Sequence, residues 1–279
     1  MDERVIISMT SYGHRLMNIP GVLDTIFAQT LQPDLVVFNL AYEELLPNEV
    51  QDYIDEHHVE VNRVADTKVY KKLIPTLKKY PEDCVITIDD DFLYPQGMIE
   101  DFMLVHNTYP DFPISGNSIA LWGLKCHCGC ASLTKAEYFG NYLDCIDDEV
   151  IRNCPSDDMV YTYFANKSGH PYIRTKEQYY TNMIHYNEGT GYSVGVNAAN
   201  GVLNTYKYLT DRFGKAEDNL FKYARNSYFA EIISDIAESY RQIGFKEGKE
   251  YIYSTSSYRI GNLVIKPLSW IRKGSLLRT

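Results

Sequence analysis

Short apolar runs alternate with amphipathic segments along the first half of the chain. Residues 4–9 alternate into a short strand, followed by the polar loop Thr10-Ser11-Tyr12-Gly13-His14-Arg15. Residues 20–29 place Val22, Leu23, Ile26 and Phe27 on one helical face. Residues 33–40 predict a second strand, 47–57 an amphipathic helix, and 59–64 a third, alternating strand. Residues 68–80 predict a helix with Leu73, Leu77 and Tyr80 facing inward. Alternating strand and helix imply a mostly parallel sheet with right-handed crossovers. Beyond Gly97 a helix is expected to about Asn107, then a loop-like stretch over 113–132, and a short helix over 135–142. Residues 157–167 predict a helix with Ser156 as N-cap and Asp157-Asp158 in its first turn. Residues 190–201 are rich in Gly and Asn and read as a mobile segment. From 203 to 245 apolar residues recur at helical spacing. This change of pattern suggests a domain over 1–202 and a helical C-terminal region over 203–279.

One strand ends in a way that calls for chemistry. Val85-Ile86-Thr87-Ile88 is apolar and β-branched, and three acids follow it directly: Asp89, Asp90 and Asp91. Adjacent carboxylates repel, and a divalent cation relieves that conflict. Hard cations take oxygen ligands, and Mg²⁺ commonly uses one or two carboxylates plus substrate phosphates. Ligands of open α/β sheets bind outside the carboxyl ends of the strands. A solvated acidic turn is the plainer alternative; the directness with which the acids follow a buried run favours the metal.

Composition narrows the partners. The net charge of −10 argues against a nucleic-acid surface, which normally needs a basic face. The 24 Tyr, against 11 Phe, suit sugar or base binding, although core and rim positions also use Tyr. No signal peptide or membrane-length apolar run is visible, so a cytoplasmic enzyme with reduced thiols is expected. The end of the chain reverses its sign. From Arg259 onward there are five basic residues and no acids, with Trp270 and apolar side chains interleaved. Such a segment suits peripheral contact with the inner face of an anionic membrane, each basic residue adding about 1 kcal/mol. Its alternative is a terminal segment docked on the core, since Pro267 breaks any long helix.

An ordered set of residues reaches a family. It comprises Ile7-Ser8-Met9-Thr10-Ser11-Tyr12 with Arg15, Tyr70-Lys71-Lys72-Leu73-Ile74-Pro75, Ile86-Thr87-Ile88-Asp89-Asp90-Asp91 with Tyr94-Pro95, and Ser156-Asp157-Asp158. Over about the first 200 residues this resembles bacterial GT-A glycosyltransferases, family 2-like, of surface-polysaccharide and lipopolysaccharide clusters. The resemblance implies a Rossmann-like, mostly parallel α/β sheet flanked by helices. It implies a nucleotide-sugar donor, UDP-sugar favoured, a glycan or lipid-linked acceptor, and an inverting hexosyl transfer. Asp89-Asp90-Asp91 stands where the family's Asp-X-Asp motif stands and would hold Mn²⁺ or Mg²⁺ on the donor diphosphate. Asp91 is the expected direct ligand, and Asp89 faces ribose or sugar as well as the metal. Asp157 and Asp158 fall at the family's catalytic base, with Asp158 preferred. Thr10, Tyr12, Arg15, Lys72, Asp89 and Asp90 are the expected donor contacts, with Tyr12 stacking on the base and Arg15 suited to phosphate. His185 is a candidate late metal ligand, against the ordinary case of a structural histidine.

The chain departs from the family at Cys126-His127-Cys128-Gly129-Cys130, where a Gly-rich loop usually lines the donor sugar. Its alternating thiols lack the paired spacing of a structural zinc site. Three rivals remain. A haloacid-dehalogenase-like phosphatase also ends a strand in Asp-X-Asp, with the first Asp as nucleophile, but nearer the N-terminus. A nucleotidyltransferase would normally open on a Gly-rich phosphate loop, which is absent. A non-catalytic carbohydrate-binding protein sits poorly with a full set of acids.

Overall fold

The computed structural model describes residues 3–121, 124–127, 130–175, 184–185 and 198–216. Its centre is a seven-stranded sheet. The strands β1 (Val5–Thr10), β2 (Leu35–Ala41), β3 (Glu60–Val64) and β4 (Cys84–Ile88) run parallel in the order β3-β2-β1-β4. The crossovers carry α1 (Ile19–Phe27), α2 (Asn48–Glu56) and α3 (Ile74–Lys79). Successive side chains of a strand point to opposite faces, so β1 feeds two cores. Val5, Ile7 and Met9 join Val22, Leu23 and Ile26 of α1 on one face. Ile6 joins Tyr70, Leu77 and Phe164 on the other. A parallel sheet covered on both sides reads as continuous apolar runs, which is why β1, β2 and β4 lack polar alternation.

The second half of the sheet breaks the parallel pattern. After β5 (Phe92–Leu93) and α4 (Met98–Thr108) come β6 (Ile114–Ser115), the hairpin β7 (Ser118–Leu121) and β8 (Leu124–His127), and β9 (Ala131–Thr134). β9 inserts between β4 and β6, antiparallel to both. The loop expected over 113–132 is therefore a set of strands of two to four residues, too short to display a period. Further on lie α5 (Asp148–Asn153), α6 (Asp157–Ser168), β10 (Ile173–Arg174), β11 (Ile184–His185) and α7 (Ala198–Phe213). β10 closes the sheet beside β6, and β11 pairs with β5 outside it.

Other departures have local causes. The helix expected over 68–80 is two pieces: a 3-10 turn over Lys68–Lys72, then α3. Leu73 leaves the helical backbone at φ −124°, and Pro75 restarts the helix in its first turn, where a missing N–H costs nothing. Ala136–Cys145 is 3-10 and bent at Gly140 (φ +50°), where a Cβ would stand 2.9 Å from Ser168 Oγ. α5 was not expected; Asp147 caps it by accepting from the Glu149 and Val150 amides. α6 matches its expectation, with Ser156 accepting from Met159 N and Gly169 closing it at φ +94°. α7 begins before residue 203 and crosses the boundary drawn there. It docks on α6, where Tyr163 Oη donates to the Leu209 carbonyl at 3.0 Å. The basic tail and most of the helical C-terminal region lie outside the described residues. No helix among the described residues is long and apolar enough to cross a membrane.

Candidate active site

The three acids emerge from the carboxyl end of β4, beside the carboxyl end of β1. Two of them share one partner and the third turns to another. Asp90 is buried, accepting from Ser11 Oγ at 2.5 Å and paired with the Arg15 guanidinium. Asn18 Nδ2 donates to the Asp90 carbonyl at 3.1 Å. Arg15 also reaches Asp91 Oδ2 at 2.8 Å, so one buried guanidinium holds two adjacent carboxylates. Asp89 turns the other way, accepting from Lys72 Nζ at 3.1 Å, and is the most open of the three. Tyr94 locks the turn: Asp89 N–H donates to its hydroxyl at 2.8 Å, and that hydroxyl donates to the Cys130 carbonyl at 2.7 Å.

Lys72 joins the acid run to α6. Its ammonium lies 3.2 Å from Asp157 Oδ2 as well as beside Asp89. Its approach to the buried Asp157 Oδ2 is an ion pair. The turn carrying Lys72 is fixed from below by buried polar groups. Ser8 Oγ donates to the Lys72 carbonyl at 2.5 Å and contacts Thr76 Oγ1. Asn39 Nδ2 reaches both hydroxyls, at 3.0 and 2.8 Å, and Asn62 Nδ2 donates to Asn39 Oδ1 at 2.8 Å. Tyr70 Oη donates to the Cys154 carbonyl at 2.6 Å, tying the same turn to the entry of α6.

The electrostatics follow from burial and crowding. Burial pushes the Asp90 carboxyl up, against the Ser11 hydroxyl and the Arg15 charge. Burial also raises Asp157, with Asp158 and Asp89 adding to the rise and Lys72 opposing it. For Lys72, burial favours the neutral amine, and the charges of Asp157, Asp89 and Asp158 outweigh it, so it is held well above its ordinary value. Both members of the Lys72–Asp157 pair are thus raised. One ammonium among three carboxylates stays protonated, and the strain falls on the most buried acid.

The sequence-predicted residues fall in different places. Asp89, Asp90, Asp91, Arg15, Lys72, Asp157 and Asp158 lie in one region at the end of β4, linked through Arg15 and Lys72. Tyr12 stays at its rim, 46% exposed, with the Arg15 guanidinium 5.8 Å from its ring centre. Thr10 Oγ1 is spent inside the sheet, donating to the Asn39 carbonyl at 2.7 Å. The backbone of His185 pairs with Phe92, next to Asp91. Cys128 lies outside the described residues, and Cys130 is buried beneath the Tyr94 hydroxyl. Sequence reasoning missed Asn18, Tyr94 as a lock, and the Ser8–Asn39–Thr76 network. Ser11 lay within the quoted block without a role.

The donor set fits a hard divalent cation. Five carboxylates surround two cations, an excess of three negative charges if all ionise. The acids do not converge on one point by themselves: among the described residues the three-ligand cluster lies elsewhere, at Glu3, Cys84 and His106. One or two carboxylates completed by phosphate oxygens is the arrangement Mg²⁺ and Mn²⁺ accept.

No family model and no curated protein matches the chain. Solved structures do. A mannosyltransferase from Pyrobaculum calidifontis, in complex with GDP-Man and Mn²⁺, is matched over 99% of this chain and 81% of its own, with 13% identity and a TM-score of 0.56. A 4-diphosphocytidyl-2C-methyl-D-erythritol synthase is matched over 73% of this chain and 98% of its own, with 12% identity and a TM-score of 0.44, too loose a likeness to carry an argument. The first likeness, with the mostly parallel sheet and its flanking helices, establishes a GT-A-like α/β fold.

Proposed function

We propose that this chain is a metal-dependent glycosyltransferase. It moves a sugar from a nucleoside-diphosphate donor, UDP-sugar favoured, to a glycan or lipid-linked acceptor of cell-surface polysaccharide or lipopolysaccharide synthesis, with inversion. One observation carries the reading: an acid run at the carboxyl end of a GT-A-like sheet is bridged through Lys72 to Asp157, the first of two acids at the start of α6. A glycosyl transfer needs a donor-diphosphate site beside an acceptor base. That the structurally similar mannosyltransferase was solved with GDP-Man and Mn²⁺ is consistent with this use of the fold.

In this reading Asp91 and Asp89 hold Mn²⁺ or Mg²⁺, with His185 entering from β11. The cation, when bound, supplies Lewis-acid stabilisation of the departing diphosphate. Arg15 then does not grip phosphate as its residue type suggests. Buried and paired with Asp90 and Asp91, it positions the run. Lys72 is the cation left beside the open carboxylate, placed to meet the donor's negative charge. Tyr12, exposed at the rim, offers a ring for the nucleobase. Asp158 takes the acceptor hydroxyl's proton: it is the more accessible of the pair, whereas Asp157 is buried against Lys72. The basic tail from Arg259 brings the enzyme to the inner face of the membrane, where lipid-linked acceptors are assembled.

The test is nucleoside-diphosphate release from a panel of nucleotide sugars. Chelation with EDTA should abolish it, and added Mn²⁺ should restore it. Asp91→Asn should lose both metal-dependent donor affinity and turnover. Full activity in EDTA would remove the metal from the reading. Hydrolysis of phosphomonoesters without nucleotide release would favour the phosphatase, with Asp89 as nucleophile.

A further inference from the structure

A second cluster sits at the other end of β4. Cys84 opens that strand, five positions before Asp89, so about 16 Å separates them at the usual strand rise. The ligand atoms of Cys84, His106 and Glu3 all lie within 4.8 Å of one another. His106 Nε2 stands 3.4 Å from Cys84 Sγ and 2.9 Å from Glu3 Oε2. Cys84 and His106 are buried, and Glu3 opens the cluster to solvent.

The hydrogen bonds around this cluster leave a place for positive charge. Tyr138 Oη donates its one proton to the Pro110 carbonyl at 2.5 Å. What it offers His106 Nδ1, 3.4 Å away, is therefore a lone pair. That puts the ring proton on Nδ1 and turns the Nε2 lone pair toward Glu3 and Cys84. A ring lone pair facing a carboxylate oxygen at 2.9 Å repels unless a cation or proton lies between them. Lys135 does not fill the gap, because its ammonium binds the other Glu3 oxygen, Oε1, at 2.6 Å. A proton on Nε2 would satisfy Glu3, to which the buried Cys84 thiol also hydrogen-bonds, but would join the three groups only through Glu3. A metal ion uses all three groups.

We propose that Glu3, Cys84 and His106 form a binding site for a divalent transition metal of the Zn²⁺ class, separate from the site at the acid run. Thiolate, imidazole and carboxylate are the ligand types Zn²⁺ takes, and its bond lengths put neighbouring ligand atoms about 3.3–3.8 Å apart in a tetrahedron. The observed 3.4 Å between Cys84 and His106 lies in that range, while the 2.9 Å between His106 and Glu3 is shorter, so the exposed Glu3 carboxylate draws back by about 0.4 Å to admit the ion. Thiolate and carboxylate together match the ion's two charges. On binding, the Cys84 S–H bond gives way to an S–metal bond and the proton leaves to solvent. Lys135 on Oε1 and Tyr138 on Nδ1 are the outer partners that orient the ligands. The ion would pin the N-terminal segment to β4 and α4.

The experiment is a Co²⁺ titration of the full chain, stripped with EDTA and kept reduced, followed by displacement with Zn²⁺. The wild type should show a thiolate-to-cobalt charge-transfer band that Zn²⁺ abolishes. Oxygen ligands give no such band, so Co²⁺ at Asp89–Asp91 does not interfere, and the result stands whatever becomes of the donor site. The band should vanish in Cys84→Ser and persist when Cys126, Cys128 and Cys130 are all changed to Ser. His106→Gln should weaken binding at least tenfold. No band in the wild type, or a band that survives Cys84→Ser, overturns the proposal and leaves His106 hydrogen-bonded to Glu3. Should Cys84→Ser fail to fold, Glu3→Gln at the open edge decides: an unchanged Co²⁺ affinity overturns the proposal, and a tenfold loss supports it.

Discussion

Arg15→Met isolates what holds the acid run together. Arg15 is 6% exposed and pairs with two carboxylates that are each 5% exposed. Removing one partner of a buried pair leaves charge uncompensated and costs about 3–5 kcal/mol. For a domain of this size that lowers the melting temperature by roughly 6–20 °C. The loss has a pH signature. Burial already holds Asp90 above its ordinary 3.8, and without the guanidinium it rises further. An acid whose folded pKa exceeds its unfolded one destabilises progressively as pH climbs from the unfolded value through the folded value. The deficit should therefore be greatest near neutral pH and shrink as pH falls toward about 4. Urea melts near pH 7 and near pH 5 measure it. Asp90→Asn in the same chain should restore part of the stability, because the amide can still accept from Ser11. A neutral-pH deficit under about 1 kcal/mol, the scale of an exposed pair, or one that ignores pH, would refute the reasoning.

Two further outcomes are expected. Asp158→Asn should keep donor binding, seen as a thermal shift, while transfer falls about 10²–10⁴-fold; wild-type turnover there with loss in Asp157→Asn would exchange the two roles. The full chain should co-sediment with anionic liposomes in a salt-sensitive way, since screening shortens from about 10 Å at 0.1 M to about 3 Å at 1 M. Equal recovery of a chain ending at Ser257 would make the tail a packing element.

The half of the fold built from consecutive strand–helix units was legible, because each unit displays its own period. Val85–Ile88 announced both a buried strand and, through the acids behind it, a site. Ser156 announced the start of α6 because capping is a local transaction between a side chain and an amide three residues on. What periodicity cannot carry is pairing at a distance. Arg15 meets Asp90 across 75 positions, and its residue type alone suggested phosphate. Lys72 could be read as a donor contact, but not as the bridge to Asp157, 85 positions on. β6 and β9 are too short to announce themselves, and Tyr94 acts through a hydroxyl whose partner is 36 positions away.

The placement of β9 has a consequence for synthesis. The strands β1 to β4 can assemble in the order in which they leave the ribosome. β6 cannot: it borders β9 and β10 in the sheet, and both are made after it. Until Thr134 has emerged, β4 carries a bare edge of unpaired amides and carbonyls beside three clustered carboxylates. Bare edges recruit other chains, and like charge keeps them apart. The acid run that serves the finished protein would thus also guard its unfinished one, by keeping neighbouring nascent chains from adding themselves where β9 belongs.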